Sequence, residues 1–518
     1  MSQARSLGIS KIVPAGPQSS GSDADSGPLG AQNLDLPDLA VRWGLPLIVA
    51  LYLMMGGLYA VYTPDWQAPD EPAHYNYVKY LAAQHRFPIL KAGDYPAAYL
   101  EAIKAARFPP EMSIAPIRYE FHQPPLYYLL AAPLYRLGGG ALLPLRLLSL
   151  AIGALLLIVL HWIGQAAPRR PGLALGATAF VAFLPMHLAM TASVNNDILA
   201  ELLLALVLLF SIRYLRAADR SLLILLGVTT GLAFVTKSAA YIALPLALAA
   251  IAARHLWLGQ GASWADLVKA TATYLLPAVA LALPWWLRNM AVYGGFDFLG
   301  LGRHEQVVAG QLRTAEFIAA HGLGPLLHDL GVTTFRSFWG QFGWMGVLLD
   351  GRLYQVMLIL SALALVGWVL WAVRTGRRWP SLPRWQRAAG GLLGLLVLLN
   401  LLTYLWYNSR FVQHQGRYLF AALPAIALAV ALGWREALRR EHALPLAAAA
   451  LLTAAAIWLL TDISPWLPFL LGLTAAGLGL RRFLPTAWDP TVQAVPYLLL
   501  IPLAIVSLFG FIVPQLTL

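Results

Sequence analysis

The chain has 518 residues, of which 59% are hydrophobic and 12% charged, and its mean hydropathy is +0.65. Repeated apolar runs of about 20 residues, each long enough to cross the hydrocarbon as helix, exclude a set of soluble domains. The formal charge of +12 then points to basic cytoplasmic loops rather than to nucleic acid. The lack of cysteine removes disulfides, thiolate nucleophiles and cysteine-bound metals.

Residues 1–41, rich in Ser, Gly, Pro, Ala and Asp, read as a disordered cytoplasmic tail with no cleavable signal peptide. The first span is expected over 43–62, with Arg42 on its inner flank. Others follow at 141–164, 173–191, 198–214, 222–236, 240–253 and 267–286. After a long polar stretch come 354–373, 388–407, 418–434, 443–460, 466–480 and 495–513, about thirteen in all. The segment 123–137, QPPLYYLLAAPLYRL, is apolar but short, and counting it as a span reverses everything downstream. Charge favours leaving it as a partly embedded helix of the first external loop. The basic clusters, from Arg169 and Arg170 to Arg481 and Arg482, then all fall on the cytoplasmic side. The fourteen-span alternative places them outside.

That parity sends 63–140, 195–197, Lys237, 288–353 and 408–417 to one outer face, where distant ionisable residues converge. In PDWQAPDEPAHYNYVKY, Asp65, Asp70, Glu71 and His74 crowd the mouth of the first span. Capping of a helix reaching about Gln84 accounts for Asp70; the sharper alternative is a general base acting on an acceptor hydroxyl, with Glu71 or Asp65 in support. His74 reads as a hydrogen-bonding partner of these acids. Asn195, Asn196 and Asp197 precede the fourth span, where Asp197 caps a helix or supplies a second acid. Glu201 one turn deeper needs a partner or a cavity. Lys237 snorkels to the interface or binds phosphate. Arg288, Arg410 and Arg417 add guanidinium groups at outer helix ends, with His414 beside them. His122 opens the PPLYY segment. Trp339 belongs to an aromatic stripe, SFWGQFGWM, that anchors at the interface or stacks on sugar rings. P-loop, dinucleotide-binding, nucleophile-elbow and HExxH motifs are missing.

Taken together, the acidic pair with its histidine, HQPPLYY, the Asn-Asp pair, the Thr-Lys closing the fifth span and PWWLRN resemble a known family. They look like the GT-C membrane glycosyltransferases, a group including aminoarabinose and protein mannosyltransferases. DEPAH, SFWGQFGWM and QGRYL look more like its bacterial branch of predicted membrane glycosyltransferases. The resemblance covers about 43–434.

It implies an all-α polytopic fold, a GT-C-like bundle with amphipathic helices in the first external loop. A catalytic module over 42–353, with loops 63–140 and 288–353, would precede C-terminal helices over 354–518. The implied enzyme moves a sugar from a polyprenyl-phosphate donor to a lipid, glycan or protein acceptor. It would sit among the lipids of a bacterial cytoplasmic membrane, its N-terminus inside and its site outside. By motif position Asp70 matches the catalytic carboxylate and Asp197 the second acid, while Lys237, Arg288 and Arg417 fall among lipid-phosphate contacts. The extra residue in His122–Gln123 departs from the family's tighter pattern. A divalent metal is left open. The rival classes are a transporter or flippase for a lipid-linked saccharide, and a surface-polysaccharide ligase or polymerase.

Overall fold

The structure, a computed structural model, describes residues 38–167, 171–259, 263–376, 379–461 and 464–517. Of the tail expected over 1–41, residues 1–37 lie outside them, as do Arg169, Arg170, Arg377 and Arg378, whereas 38–41 begin the helix Asp38–Tyr62 and are not tail. The described chain is all-α apart from one short antiparallel ladder, Gln341–Phe342 against Val347–Leu348. Among the described residues ten helices are long and apolar enough to cross a membrane, and eleven if Pro171–Phe183 and Pro185–Thr191, bent by 66°, are one broken span. The bend follows from Pro185, which denies Leu184 the helical region and leaves it extended at φ −68°, ψ 116°. Two further apolar helices, Arg220–Phe234 and Trp466–Arg481, coincide with the remaining expected spans but have only 15 and 16 residues.

Leu142–Ala166 and Asp197–Arg216 form the centre of the bundle, the latter 83% buried over its apolar window. A helix apolar on all sides finds its solvent in other helices. Small residues let backbones approach where lipid supplies no hydrophobic drive. A Cβ on Gly367 would meet the Gly433 carbonyl oxygen at 1.9 Å, so Gly351–Gly376 and the 416–437 segment pack backbone to backbone. The first and last spans are joined by the Tyr59 hydroxyl, which donates to the Ala504 carbonyl at 2.7 Å.

Two loops close one end of the bundle. The first holds Glu71–Gln84, Ala97–Ala105, the short 3-10 turn Tyr119–His122 and Leu126–Leu137. The last of these has 12 residues, too few for a crossing, and buries Tyr127, Tyr128, Ala131 and Ala132 while exposing Leu129, Leu130 and Leu137. That apolar outer face suits an interfacial helix. Its first N–H donates to the Val235 carbonyl at 2.9 Å, which docks the loop on the end of Arg220–Phe234.

Candidate functional site

Asp70 stands just before the Glu71–Gln84 helix, in the left-handed region at φ 68°. A non-glycine residue there stores strain, which marks functional positions. Its side chain makes no capping bond. Instead Oδ2 accepts from Arg417 Nη2 at 2.7 Å, and Oδ1 accepts from the Tyr119 hydroxyl at 2.8 Å. Burial alone would push this carboxyl up, but the Arg417 charge, helped by His74 and these hydrogen bonds, overrides it and holds it down at about 2. The arginine is placed by Gly416. A Cβ there would lie 2.3 Å from the Phe338 nitrogen, and the Gly416 N–H donates to Ser337 Oγ at 2.7 Å. Gly416→Ala is therefore expected to displace Arg417 from Asp70 and lower the thermal midpoint in detergent.

The second acid is likewise released from capping. Asn195 Oδ1 accepts from the backbone N–H of Asp197 at 3.0 Å and of Ile198 at 3.4 Å. The Asp197 carboxylate is then free to pair with Lys237 Nζ at 2.5 Å. Lys237 also donates to Asn196 Oδ1 at 3.3 Å. Asn196 in turn donates to the Thr236 carbonyl at 2.9 Å and to Gln123 Oε1 at 3.3 Å. Four side chains expected from sequence, Asp70, Asp197, Lys237 and Arg417, thus form two carboxylate–cation pairs at one end of the bundle.

Glu71, next to Asp70, turns elsewhere. Its carboxylate makes a bidentate pair with Arg146, at 2.9 and 2.7 Å, and Oε1 also accepts from the Val194 N–H at 3.1 Å. Arg146 further donates to the carbonyls of Ala60, Thr63 and Pro64. This buried hub ties the end of the first span, the Asp70 turn and the Asn195–Asp197 loop into one unit. The signal for Arg146 was present as a lone cation within an apolar run, where a partner is obligatory.

His74, one turn beyond Asp70, is buried, and its Nδ1 meets the Tyr128 hydroxyl at 2.8 Å rather than one of the acids expected to partner it. Burial lowers its pKa. His122 Nδ1–H donates to the Tyr119 carbonyl at 3.1 Å, and its ring lies 4.4 Å from that of His304. Burial lowers these two to about 4 and about 3, so both rings are neutral at pH 7. Glu120, between Tyr119 and Phe121, was not singled out by sequence. It is buried, and its Oε2 has no hydrogen-bond partner among the described residues.

Other expected residues are placed apart. Arg288 donates to the Pro88 carbonyl at 2.5 Å and to Asn289 at 2.9 Å, lying over the Trp285 ring. Arg410 is half-exposed beside Glu305 at 3.7 Å. His414 bonds Asn408 Oδ1 at 2.7 Å. Trp339 is buried against Phe180 and Phe338, so its faces are taken by protein rather than open to a sugar. Asp65 is exposed. Glu201, off the cluster, pairs with His187 at 3.2 Å.

The donor set does not fit a divalent cation, since Asp70 and Asp197 each face a basic side chain. Among the described residues one carboxylate–histidine trio has ligand spacing, Glu436, Glu441 and His442. It lies at the far end of the 416–437 span from Arg417, and Arg374 and Arg439 answer its charge.

Fold and site together define a polytopic all-α membrane protein with a buried polar cluster at one end of its bundle. Residues 118–428 match a family described as predicted membrane protein (DUF2142), more than half of the chain, and the protein belongs to that family. Comparison with curated proteins finds no match. Among solved structures the chain is similar to ArnT from Cupriavidus metallidurans bound to undecaprenyl phosphate, with 15% identity and a TM-score of 0.48. The apo form of the same protein gives 16% identity and a TM-score of 0.49. Each likeness covers 90% of this chain and 77% of the other.

Proposed function

We propose that the protein is a membrane glycosyltransferase of GT-C type that moves a sugar from a polyprenyl-phosphate donor to a lipid, glycan or protein acceptor. The observation that carries this reading is the pairing of Asp70 with Arg417 at 2.7 Å and of Asp197 with Lys237 at 2.5 Å within one site. Two cations match a phosphate, and two carboxylates match an acceptor hydroxyl and the sugar. Beside them a small crevice is lined by Thr63, Gln67, Ala68, Pro69, Met190 and Leu516. Met190 also touches Arg417, at 3.9 Å.

In this reading the donor phosphate draws Arg417 away from Asp70. The freed carboxylate, no longer held down by the guanidinium, takes the acceptor proton as the new glycosidic bond forms. Cations left at the phosphate stabilise the departing lipid phosphate, so no nucleotide-binding domain is needed. The site faces the outer side of a bacterial cytoplasmic membrane. Single cysteines placed at Lys91 and at Arg220 of this cysteine-free chain test that orientation: an impermeant thiol reagent added outside labels the first and spares the second.

The decisive assay incubates purified protein with a panel of polyprenyl-phosphate sugars and follows release of lipid phosphate. Transfer with release supports the reading; movement of intact donor across a bilayer without release replaces it with a flippase. Lys237→Ala is expected to weaken donor binding about 10- to 100-fold, the worth of a charge-assisted bond to phosphate. An unchanged donor affinity removes Lys237 from the phosphate site.

A further inference from the structure

Glu120 has no place in that scheme, yet it is the most unusual acid of the cluster. It is 9% exposed, and among the described residues no donor reaches its Oε2. Its other contact is the Gln123 side chain. A buried carboxylate without cation or full hydrogen bonding is costly to ionise, so this group holds a proton more readily than its neighbours. It sits in the 3-10 turn Tyr119–His122, whose Tyr119 hydroxyl donates to Asp70. The charged and titratable groups acting on it are His74, Asp70 and Lys237, with Tyr119, Tyr128 and Tyr407 around it.

We infer that Glu120 is a second catalytic carboxyl, a general acid that protonates the departing lipid phosphate. The inference rests on the sugar-transfer reading. Asp70 and Glu120 have opposite surroundings. A guanidinium answers the first, while burial and the negative charge of the first bear on the second. Neighbouring carboxyls driven apart in this way divide into base and acid. The balance closes within the pair. The acceptor O–H proton passes to Asp70, the acceptor oxygen bonds to the anomeric carbon, and the bond from that carbon to the phosphate oxygen breaks. The electron pair stays on the phosphate, which takes the Glu120 proton. Passage of the proton from Asp70 to the ionised Glu120 restores the starting state. Burial raises the Glu120 carboxyl, the direction that a proton donor to a leaving phosphate needs.

Two measurements on the full-length protein in detergent test this. Infrared spectroscopy without substrate is expected to show the carbonyl band of a protonated carboxyl that disappears in Glu120→Gln. If that variant does not fold, the band is expected to shift in Glu120→Asp. With donor and acceptor, Glu120→Gln is expected to cut turnover about 10²- to 10⁴-fold, with donor affinity unchanged, and to abolish the alkaline fall of the wild-type rate profile. Wild-type transfer matched by Glu120→Gln, with the alkaline limb intact, overturns the acid role and leaves the transferase reading standing. If wild-type protein transfers no sugar from any donor, the transferase reading fails and the acid role falls with it. Absence of the infrared band overturns the inference whatever the activity.

Discussion

Asp70→Asn is expected to lower sugar transfer by about 10²- to 10⁴-fold, the usual cost of losing a general base, while donor binding is retained or strengthened. The second half of that expectation separates chemistry from structure. Arg417 is held by Asp70 at 2.7 Å in the resting site, so an incoming phosphate must compete with the carboxylate for it. Asparagine removes the competitor's charge but keeps its size and the acceptor for Tyr119. Donor affinity and turnover therefore move in opposite directions, which steady-state kinetics and equilibrium binding of the donor resolve. Wild-type turnover in folded Asp70→Asn would falsify the base assignment. The same substitution alters acid stability. The folded carboxyl sits at about 2 against an ordinary value of 3.8, so its contribution is fully present above about pH 4. It fades as pH falls from there towards 2. Thermal unfolding of wild type is expected to weaken across that window more than that of the asparagine variant.

The largest stability effect is expected at the hub behind the site. Arg146→Ala leaves the Glu71 carboxylate buried without a counter-ion and frees the carbonyls of Ala60, Thr63 and Pro64, a loss of about 3–5 kcal/mol. Differential scanning in detergent reads it as a drop in midpoint. Replacing both partners, Glu71→Leu with Arg146→Met, is expected to recover much of that loss, because no uncompensated charge remains. The Val194 N–H then has no acceptor, and the loop bearing Asn195 and Asp197 loses its tie to the Asp70 turn. Turnover is expected to stay low in the stable double variant. Recovery of turnover along with stability would reduce the hub to a packing element.

Some of this site was legible in the chain because membrane spans impose parity. A helix of about 20 residues must emerge on the opposite side, so Asp70, Asp197, Lys237 and Arg417 were bound to one face once the basic loops were assigned to the other. The thirteen expected spans all coincide with helices, and 126–137 is short, as its length required. Adjacent residues were harder. Asp70 and Glu71 have the same chemistry and neighbouring numbers, yet one meets Arg417 and the other Arg146, a choice made by the left-handed turn at Asp70. Arg288 and Arg410 share a face with the cluster but are drawn off by Pro88 and Glu305. Trp339 has the composition of a sugar platform and the packing of a core residue.

The amino-acid order by itself determined the class of protein, the spans and the set of ionisable residues gathered at one end, because hydrocarbon thickness and loop charge act on local stretches of chain. Only the tertiary structure decided which acid meets which base, that Asn195 rather than Asp197 accepts from the first N–H groups of its helix, and that Glu120 Oε2 is buried with no partner among the described residues. Those outcomes depend on side-chain directions at contacts separated by up to 347 positions, and burial there is set by neighbours that no local pattern names.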